Sequence, residues 1–506
     1  MAASDLHLEE ATISEVQSAL EAGRLTSSAL VAFYLNRIAT LDTRGPELRA
    51  VLECNPDAQA IAAELDRERQ TRGPRGPLHG IPILIKDNID TADRMMTTAG
   101  SLALLGSQAL EDATVARRLR EAGAVILGKT NMSEWANFRS TRSSSGWSGR
   151  GGQTRNPHVL DRTPSGSSSG SAVAVVAGFC AASIGTETNG SIVSPANANG
   201  VVGLKPTVGL TSRSGVIPIA HSQDSIGVHA RTVADAAIIL GAIAGVDPRD
   251  PATQASEGHY FPDYAPLLSS GGLRNARIGV ARNVGFGKSE KADAIMEGAI
   301  GVLRDAGAVL IDPANIPSDL EAAQAAEREV LLFEFKDDLA HYLATRQAVP
   351  IRTLADLIAF NDVHAAEELK YFGQDLFVQA QTKGSLTDPG YRTALATSRR
   401  LSGPEGLDRV FDDHTLDALI APSGSPAWTI DLINGDHRIR GSSGPAARIG
   451  YPLLSVPAGA WGGLPVNMTF MGRAFSEPKL LQLAFAFEQA TKARRAPQFV
   501  KSLLTA

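Results

Sequence analysis

Three short stretches of this chain hold residues that can do chemistry together. Two are small-residue turns, Ser165–Ser171 (SGSSSGS) and Gly185–Pro195 (GTETNGSIVSP); the third is His79–Ile89 (HGIPILIKDNI). Turns this rich in serine and glycine crowd hydroxyls and backbone N–H groups onto one spot at little steric cost. That is the material of a nucleophile and an oxyanion hole. The second turn reads as a tight loop aiming several N–H groups at one point, with Ser191 at the focus. Lys86 ends an apolar strand, Ile83–Ile85, of the kind buried on both faces of a sheet. Desolvation there moves a lysine from about 10.4 toward about 7, where it serves as a general base. Asp87 beside it is a candidate counter-ion, although adjacent strand residues face opposite ways.

Other motif matches do not survive their context. Gly123–Thr130 has the spacing of a phosphate-binding P-loop, but its intervening residues read as a strand rather than a loop of exposed N–H groups. Gly185–Ser191 resembles a second one and lacks the lysine. Gly166–Gly170 fits the G-x-S-x-G elbow, which would make Ser168 the nucleophile. That motif needs a preceding strand, and Asp161–Pro164 is loop-like. Ser476–Lys479 has the form S-x-x-K, yet Pro478 marks the start of a helix and casts Ser476 as its N-cap. Paired Cys/His spacings and H-E-x-x-H are missing from the sequence, so no metal and no cofactor are expected. The two cysteines, Cys54 and Cys180, stand far apart and read as buried free thiols.

The elements that must position these residues follow from periodicity. Residues 8–42 read as two helices, the first capped by Thr12 or Ser14 and ended by Gly23, the second capped by Thr26 or Ser27. Residues 57–70 form another helix. Residues 112–138 read helix (Asp112–Ala122), strand (Ala124–Leu127), turn, helix. The loop Thr141–Asn156 carries Ser143, Trp147, Arg150 and Arg155 and is expected to wall a substrate pocket. Between the two serine turns, the uncharged run Ala172–Ile184 reads as a buried helix or a helix plus strand. Asp247–Leu268 is linker-like. A strand (Arg277–Ala281), a helix (Ala292–Ala306) and a strand (Val309–Ile311) follow, then a mostly helical region over 317–415. Gln223 and Asp224 are either polar groups behind the site or a surface turn. This alternation predicts an α/β fold.

Composition bounds the function. The chain has 506 residues with 43% hydrophobic content, ample for a large core, and length alone suggests about three domains. A net charge of −6 offers no basic footprint for nucleic acid. The apolar run between the serine turns is far short of the ~20 residues of a membrane span. The start, MAASDLHLEE, is acidic without an apolar stretch, so no signal peptide is expected. A cytoplasmic location is the default expectation, although a processed secreted or periplasmic form would read the same.

Lys86, the Pro164–Ala172 turn and Gly185–Pro195 together resemble the amidase signature family of Ser–cis-Ser–Lys hydrolases. The similarity extends to Gly128–Glu134 (GKTNMSE), Thr154–Pro157 (TRNP), Gly200–Pro206 (GVVGLKP) and Gly463–Val466 (GLPV), so it covers most of the chain. By position in that pattern Ser191 is the nucleophile, Ser167 the bridging serine and Lys86 the base. The oxyanion hole falls to the backbone of Thr188, Asn189, Gly190 and Ser191. The chain departs from the pattern at Ser169-Gly170, where a second glycine pair is common, at Asn189 (commonly glycine) and at Val193 (commonly arginine).

The resemblance implies a single α/β domain over 1–506, with a mixed, mostly parallel central sheet and helices on both faces. The signature core spans about 75–235, and 317–415 is the variable region. The turns and the Ser144–Thr154 loop are most similar to bacterial peptide amidases, which release ammonia from C-terminal carboxamides. Ser143, Ser144, Trp147, Gly166 and Trp461, with the Gly441–Ala446 loop, are the candidate substrate contacts. The substrate expected is a small-molecule or peptide amide, and the assembly a monomer or homodimer. Aryl or fatty acylamidase activity, a glutamine amidohydrolase subunit of an amidotransferase, and a non-catalytic subunit with the same fold are the alternatives.

Overall fold

The computed structural model describes residues 6–347, 349–437, 439 and 441–503. Eleven strands make one sheet: β1 (Val51–Cys54), β2 (Pro82–Lys86), β3 (Val125–Thr130), β4 (Ala182–Glu187), β5 (Val202–Lys205), β6 (Ser225–Ala230), β7 (Arg277–Val280), β8 (Val309–Ile311), β9 (Ala418–Pro422), β10 (Leu453–Trp461) and β11 (Leu464–Met471). Their order is β1-β3-β2-β4-β6-β5-β10-β11-β9-β7-β8. The sheet is mixed and flanked by helices in one large domain, so the three domains suggested by length alone give way to one.

Parallel pairing is confined to two groups, β3-β2-β4 and β9-β7-β8, and antiparallel pairs run through the middle and at β1. The antiparallel share exceeds what the βαβ alternation implied. Its source is the hairpin β10–β11 and the antiparallel pairing of β6 with β4 and of β5 with β6 and β10.

The helices are α1 (Ile13–Glu21), α2 (Ser27–Arg37), α3 (Ala58–Arg72), α4 (Thr114–Glu121), α5 (Ser169–Val176), α6 (Val193–Asn199), α7 (Val233–Ile243), α8 (Glu290–Asp305), α9 (Leu320–Ala344), α10 (Leu354–Val363), α11 (Ala365–Glu368), α12 (Asp375–Gln381), α13 (Pro389–Ser402), α14 (Asp408–His414), α15 (Gly444–Arg448) and α16 (Glu477–Thr491). Successive strand residues serve opposite faces. Ile420, Leu454 and Phe470 join the core under α8 and α16, whereas Leu419, Leu453 and Met471 join a second cluster with Val193 of α6 and Phe411 of α14. The variable region is not a separate unit. Leu332, Phe335 and Leu339 of α9 and Phe377 of α12 pack with Met132, Trp135, Phe138, Ile217 and Ile219. It is thus mounted on the loops that follow β3 and precede β6.

Local signals held in most places. Thr12 caps α1 with a capping box through Glu15, and Thr26 caps α2. The P-loop-like stretch is strand β3, with Lys129 fully buried. Ser476 precedes α16 as expected, but its hydroxyl donates backward to Arg473 O at 2.7 Å instead of capping. The helix expected after β3 is only a 3₁₀ stretch, Glu134–Asn137, with φ of +47° at Trp135 and +53° at Ala136. Two burial demands break it: Trp135 inserts under α12, and the Glu134 carboxylate turns inward to the Arg139 guanidinium. Nor is 247–268 a linker: the buried Asp247 and Asp250 side chains accept from Ser212 and Arg213 at 2.6 and 2.8 Å. Cys180 is buried and Cys54 half-buried, both free. Among the described residues no helix is long and apolar enough to cross a membrane.

Candidate active site

Strand β2 delivers Lys86 to the interior because every residue from Pro82 to Lys86 is buried. Its ammonium donates to Ser167 Oγ at 2.8 Å, Thr186 Oγ1 at 2.8 Å and Thr186 O at 3.2 Å. Asn88 steadies Thr186 from the other side, Nδ2 to Oγ1 at 3.0 Å. These partners are all neutral. Burial therefore dominates and drives the lysine down to about 7, against the weaker upward pull of Asp224 and Glu187. Asp87 is not its counter-ion: its carboxylate accepts from Thr98, Gly100 N and Arg150 on the other side of the strand.

Ser167 follows a cis peptide at Gly166. Its carbonyl accepts from Ser133 N at 3.0 Å, and Ser133 Oγ accepts from Gly146 N at 2.9 Å. The motif Gly128–Glu134 thus places Ser167 through Ser133, a residue that sequence reasoning gave no role. Gly166 admits no side chain: a Cβ there would lie 2.2 Å from Ser133 Oγ and 3.0 Å from Ser169 Oγ. Gly166→Ala is expected to cost about 1–3 kcal/mol through that overlap and to slow turnover by shifting Ser167. Urea unfolding and an amide assay check it, and unchanged stability and rate would contradict the packing argument.

Ser191 lies two residues before α6, nearly buried at 8% exposure. Its carbonyl accepts from Ser168 N at 3.2 Å, which ties the two serine turns together. Among the described residues no group hydrogen-bonds the Ser191 hydroxyl, and the N–H groups of Asn189, Gly190 and Ser191 donate to no described protein acceptor. Gly190 has φ +88°, a conformation that glycine alone adopts at no cost. Glu187 accepts from Ile192 N at 2.6 Å and Val193 N at 3.0 Å, anchoring the far end of the turn at the start of α6. The Thr188 hydroxyl donates to Asp224, whose other oxygen accepts from Ile219 N and Ala220 N at 2.8 and 3.0 Å. Desolvation raises the Asp224 carboxyl to about 6. A small cavity beside Ser167 is also lined by Asn88, Thr186, Thr188, Ile219 and Asp224.

Ser168, the competing candidate in the elbow motif, is fully buried. Its hydroxyl donates to Thr186 O at 3.0 Å and accepts from Thr186 N at 3.2 Å, so it is spent on structure.

The candidate substrate contacts divide. The Gly441–Ala446 loop reaches the site, with Ser443 Oγ donating to Asn189 Oδ1 at 2.7 Å. Gly166 adjoins Ser167. Ser143 and Ser144 are buried in their own loop, donating to Ser140 O at 2.8 Å and Gln153 Oε1 at 3.5 Å. Trp147 is 4% exposed, packed edge-on against Tyr371 and Phe372 with the Arg139 guanidinium over its ring. Trp461 is not brought to the others. It ends β10 at the hairpin turn, 46% exposed, with Lys291 over its ring. Sequence reasoning missed Glu187, Glu327 and Arg448. The last two form a buried ion pair, Arg448 Nε to Glu327 Oε2 at 2.9 Å, behind Asn189.

A buried lysine with its pKa brought down to about 7 touching a serine, a second serine with a free hydroxyl, and unengaged N–H groups in one turn can activate a hydroxyl and hold an oxyanion. Known proteins similar to this chain are amidases and an amidotransferase subunit. The family model described as Amidase matches residues 29–481. A crystal structure of native peptide amidase from Stenotrophomonas maltophilia is 53% identical, covers 97% of this chain and 99% of its own, and superposes with a TM-score of 0.93. A probable amidase of Arabidopsis thaliana is 44% identical over 98% of this chain and 93% of its own length. A glutamyl-tRNA(Gln) amidotransferase subunit of Halorhodospira halophila is 35% identical over 96% of this chain and 98% of its own. The chain belongs to the amidase family of amide hydrolases.

Proposed function

We propose that this hydrolase removes the C-terminal carboxamide of peptides through Ser191, Ser167 and Lys86, releasing the free acid and ammonia. The observation that carries the reading is the 53% identity to a peptide amidase, maintained over 97% of the chain together with its fold. In the reaction Ser191 Oγ attacks the carboxamide carbon while its proton passes to Ser167 Oγ, and the Ser167 proton passes to neutral Lys86 Nζ. A hydroxyl both donates and accepts, which is what a relay needs. The Lys86–Ser167 link is already made; the Ser191 hydroxyl completes the second link by rotating when substrate binds, a tightening common in the step from free to bound enzyme. The backbone N–H groups from Thr188 to Ser191 hold the oxyanion. The proton returns along the relay to the leaving nitrogen, ammonia departs, and water hydrolyses the Ser191 ester by the same route.

A panel of a dipeptide amide, glutamine, an anilide and a fatty amide, each assayed for its released product, tests the substrate class. The dipeptide amide is expected to be turned over fastest, with internal peptide bonds intact. Glutamine or the fatty amide running far ahead of it would overturn the peptide reading and leave the amidase chemistry standing. The 35% identity to a glutamyl-tRNA(Gln) amidotransferase subunit makes glutamine the rival that counts.

A further inference from the structure

We propose that Glu327, on the variable helix α9, is a positioning residue that holds the oxyanion turn in register for catalysis. The proposal rests on the reading of Thr188–Ser191 as the oxyanion hole. N–H groups that must receive an oxyanion cannot also be tied into a strand or helix; in this chain, with Asn189 where glycine is common, side chains hold the turn beside the Ser168 N to Ser191 O bond. Asn189 is the residue at its crest. Its Nδ2 donates to Glu327 Oε1 at 2.6 Å, and its Oδ1 accepts from Ser443 Oγ at 2.7 Å. The same Glu327 oxygen accepts from Gln223 Nε2 at 3.0 Å, and that amide also reaches Thr188 O at 3.4 Å. One carboxylate oxygen thus gathers two side chains that grip the turn at consecutive residues. The other oxygen is occupied by Arg448 Nε at 2.9 Å, which fixes the carboxylate's rotation. Glu327 is 4% exposed and Arg448 7%, so the assembly is shielded from water.

Two further contacts set the helix itself. Glu334 and Asp338, about two and three turns further along α9, accept from Ser222 N at 3.0 Å and His221 N at 2.8 Å. These residues immediately precede Gln223 and Asp224, the groups that hold Thr188. The region most remote from the signature motifs therefore docks on the catalytic turn through a line of carboxylates on one side of α9. Because the oxyanion exists only past the ground state, loosening this anchor lowers kcat and leaves KM nearly unchanged.

The test is a double-mutant cycle on a dipeptide amide, with folding checked by circular dichroism and thermal melts. Glu327→Ala and Asn189→Gly are each expected to lower kcat about 10-fold or more with KM within about threefold, and the double variant to be no slower than the slower single. Glu327→Gln keeps an oxygen for Asn189 and Gln223 and loses only the Arg448 pair. It is expected to retain kcat within about threefold while the melting temperature falls, which a merely structural role would not give. Wild-type kcat in folded Glu327→Ala, or an equal loss from it in the Asn189→Gly background, would overturn the proposal. If Glu327→Ala does not fold, Asn189→Ala decides, because it cuts the same tether: unchanged kcat there overturns the proposal and a fall in kcat alone supports it. Ser191→Ala in the same assay keeps the two readings apart, since full activity there would remove the oxyanion-hole assignment itself.

Discussion

Ser191→Ala is expected to lose about 10⁴-fold or more in amide turnover, the largest effect of any single substitution in this chain. No other hydroxyl can replace it. Ser168 is locked by two hydrogen bonds to the Thr186 backbone, and Ser167 is held by Lys86. Ser167→Ala is expected to be severe but milder, about 10²–10³-fold, because a water can stand in for a relay hydroxyl, whereas it cannot form the ester. Steady-state rates on a dipeptide amide check both. Near-wild-type rates for either serine variant would remove the relay.

Lys86 sets the second large effect, and its sign follows from burial. The lysine works as a base only when neutral, and desolvation brings its pKa to about 7. Activity is therefore expected to rise with pH on a limb centred near 7 and to flatten above it. Lys86→Ala should lose about 10³-fold or more and abolish that limb while leaving the fold intact, since an uncharged residue at this buried position removes a desolvation cost. Asp224→Asn supplies the sign test. Asp224 pulls the Lys86 pKa upward, so its neutralisation is expected to move the limb to lower pH. A shift to higher pH, or no limb at all in the wild type, would contradict a lysine base.

Much of this site was legible because its residues are close in sequence and chemically distinctive. A lysine ending a strand of apolar residues has one place to go, and two serine–glycine turns flanking an uncharged run point to a shared focus. The run itself resolved into α5 and β4, which return the second turn to the first. What was not legible depends on contacts made across long stretches of chain. Glu327 lies 138 residues from Asn189, and nothing in its helical periodicity names that partner. Trp147 is buried against Phe372, a placement the sequence does not reveal, because an aromatic on a loop reads alike whether it faces a pocket or another ring. Trp461 is exposed because the register of β10 with β11 puts it at the hairpin end opposite Leu464. The antiparallel centre of the sheet likewise follows from strand pairing, which hydrophobic pattern alone does not encode.

The central claim is that Ser191, and not another serine of these turns, forms the covalent bond to substrate. The most direct measurement is labelling of the folded protein with a fluorophosphonate probe, with the modified residue located from peptide fragment ions. A single adduct on Ser191, lost in Ser191→Ala and slowed in Lys86→Ala, is the result predicted here. An adduct on Ser168, with Ser191→Ala still labelled and still active on amides, would contradict it.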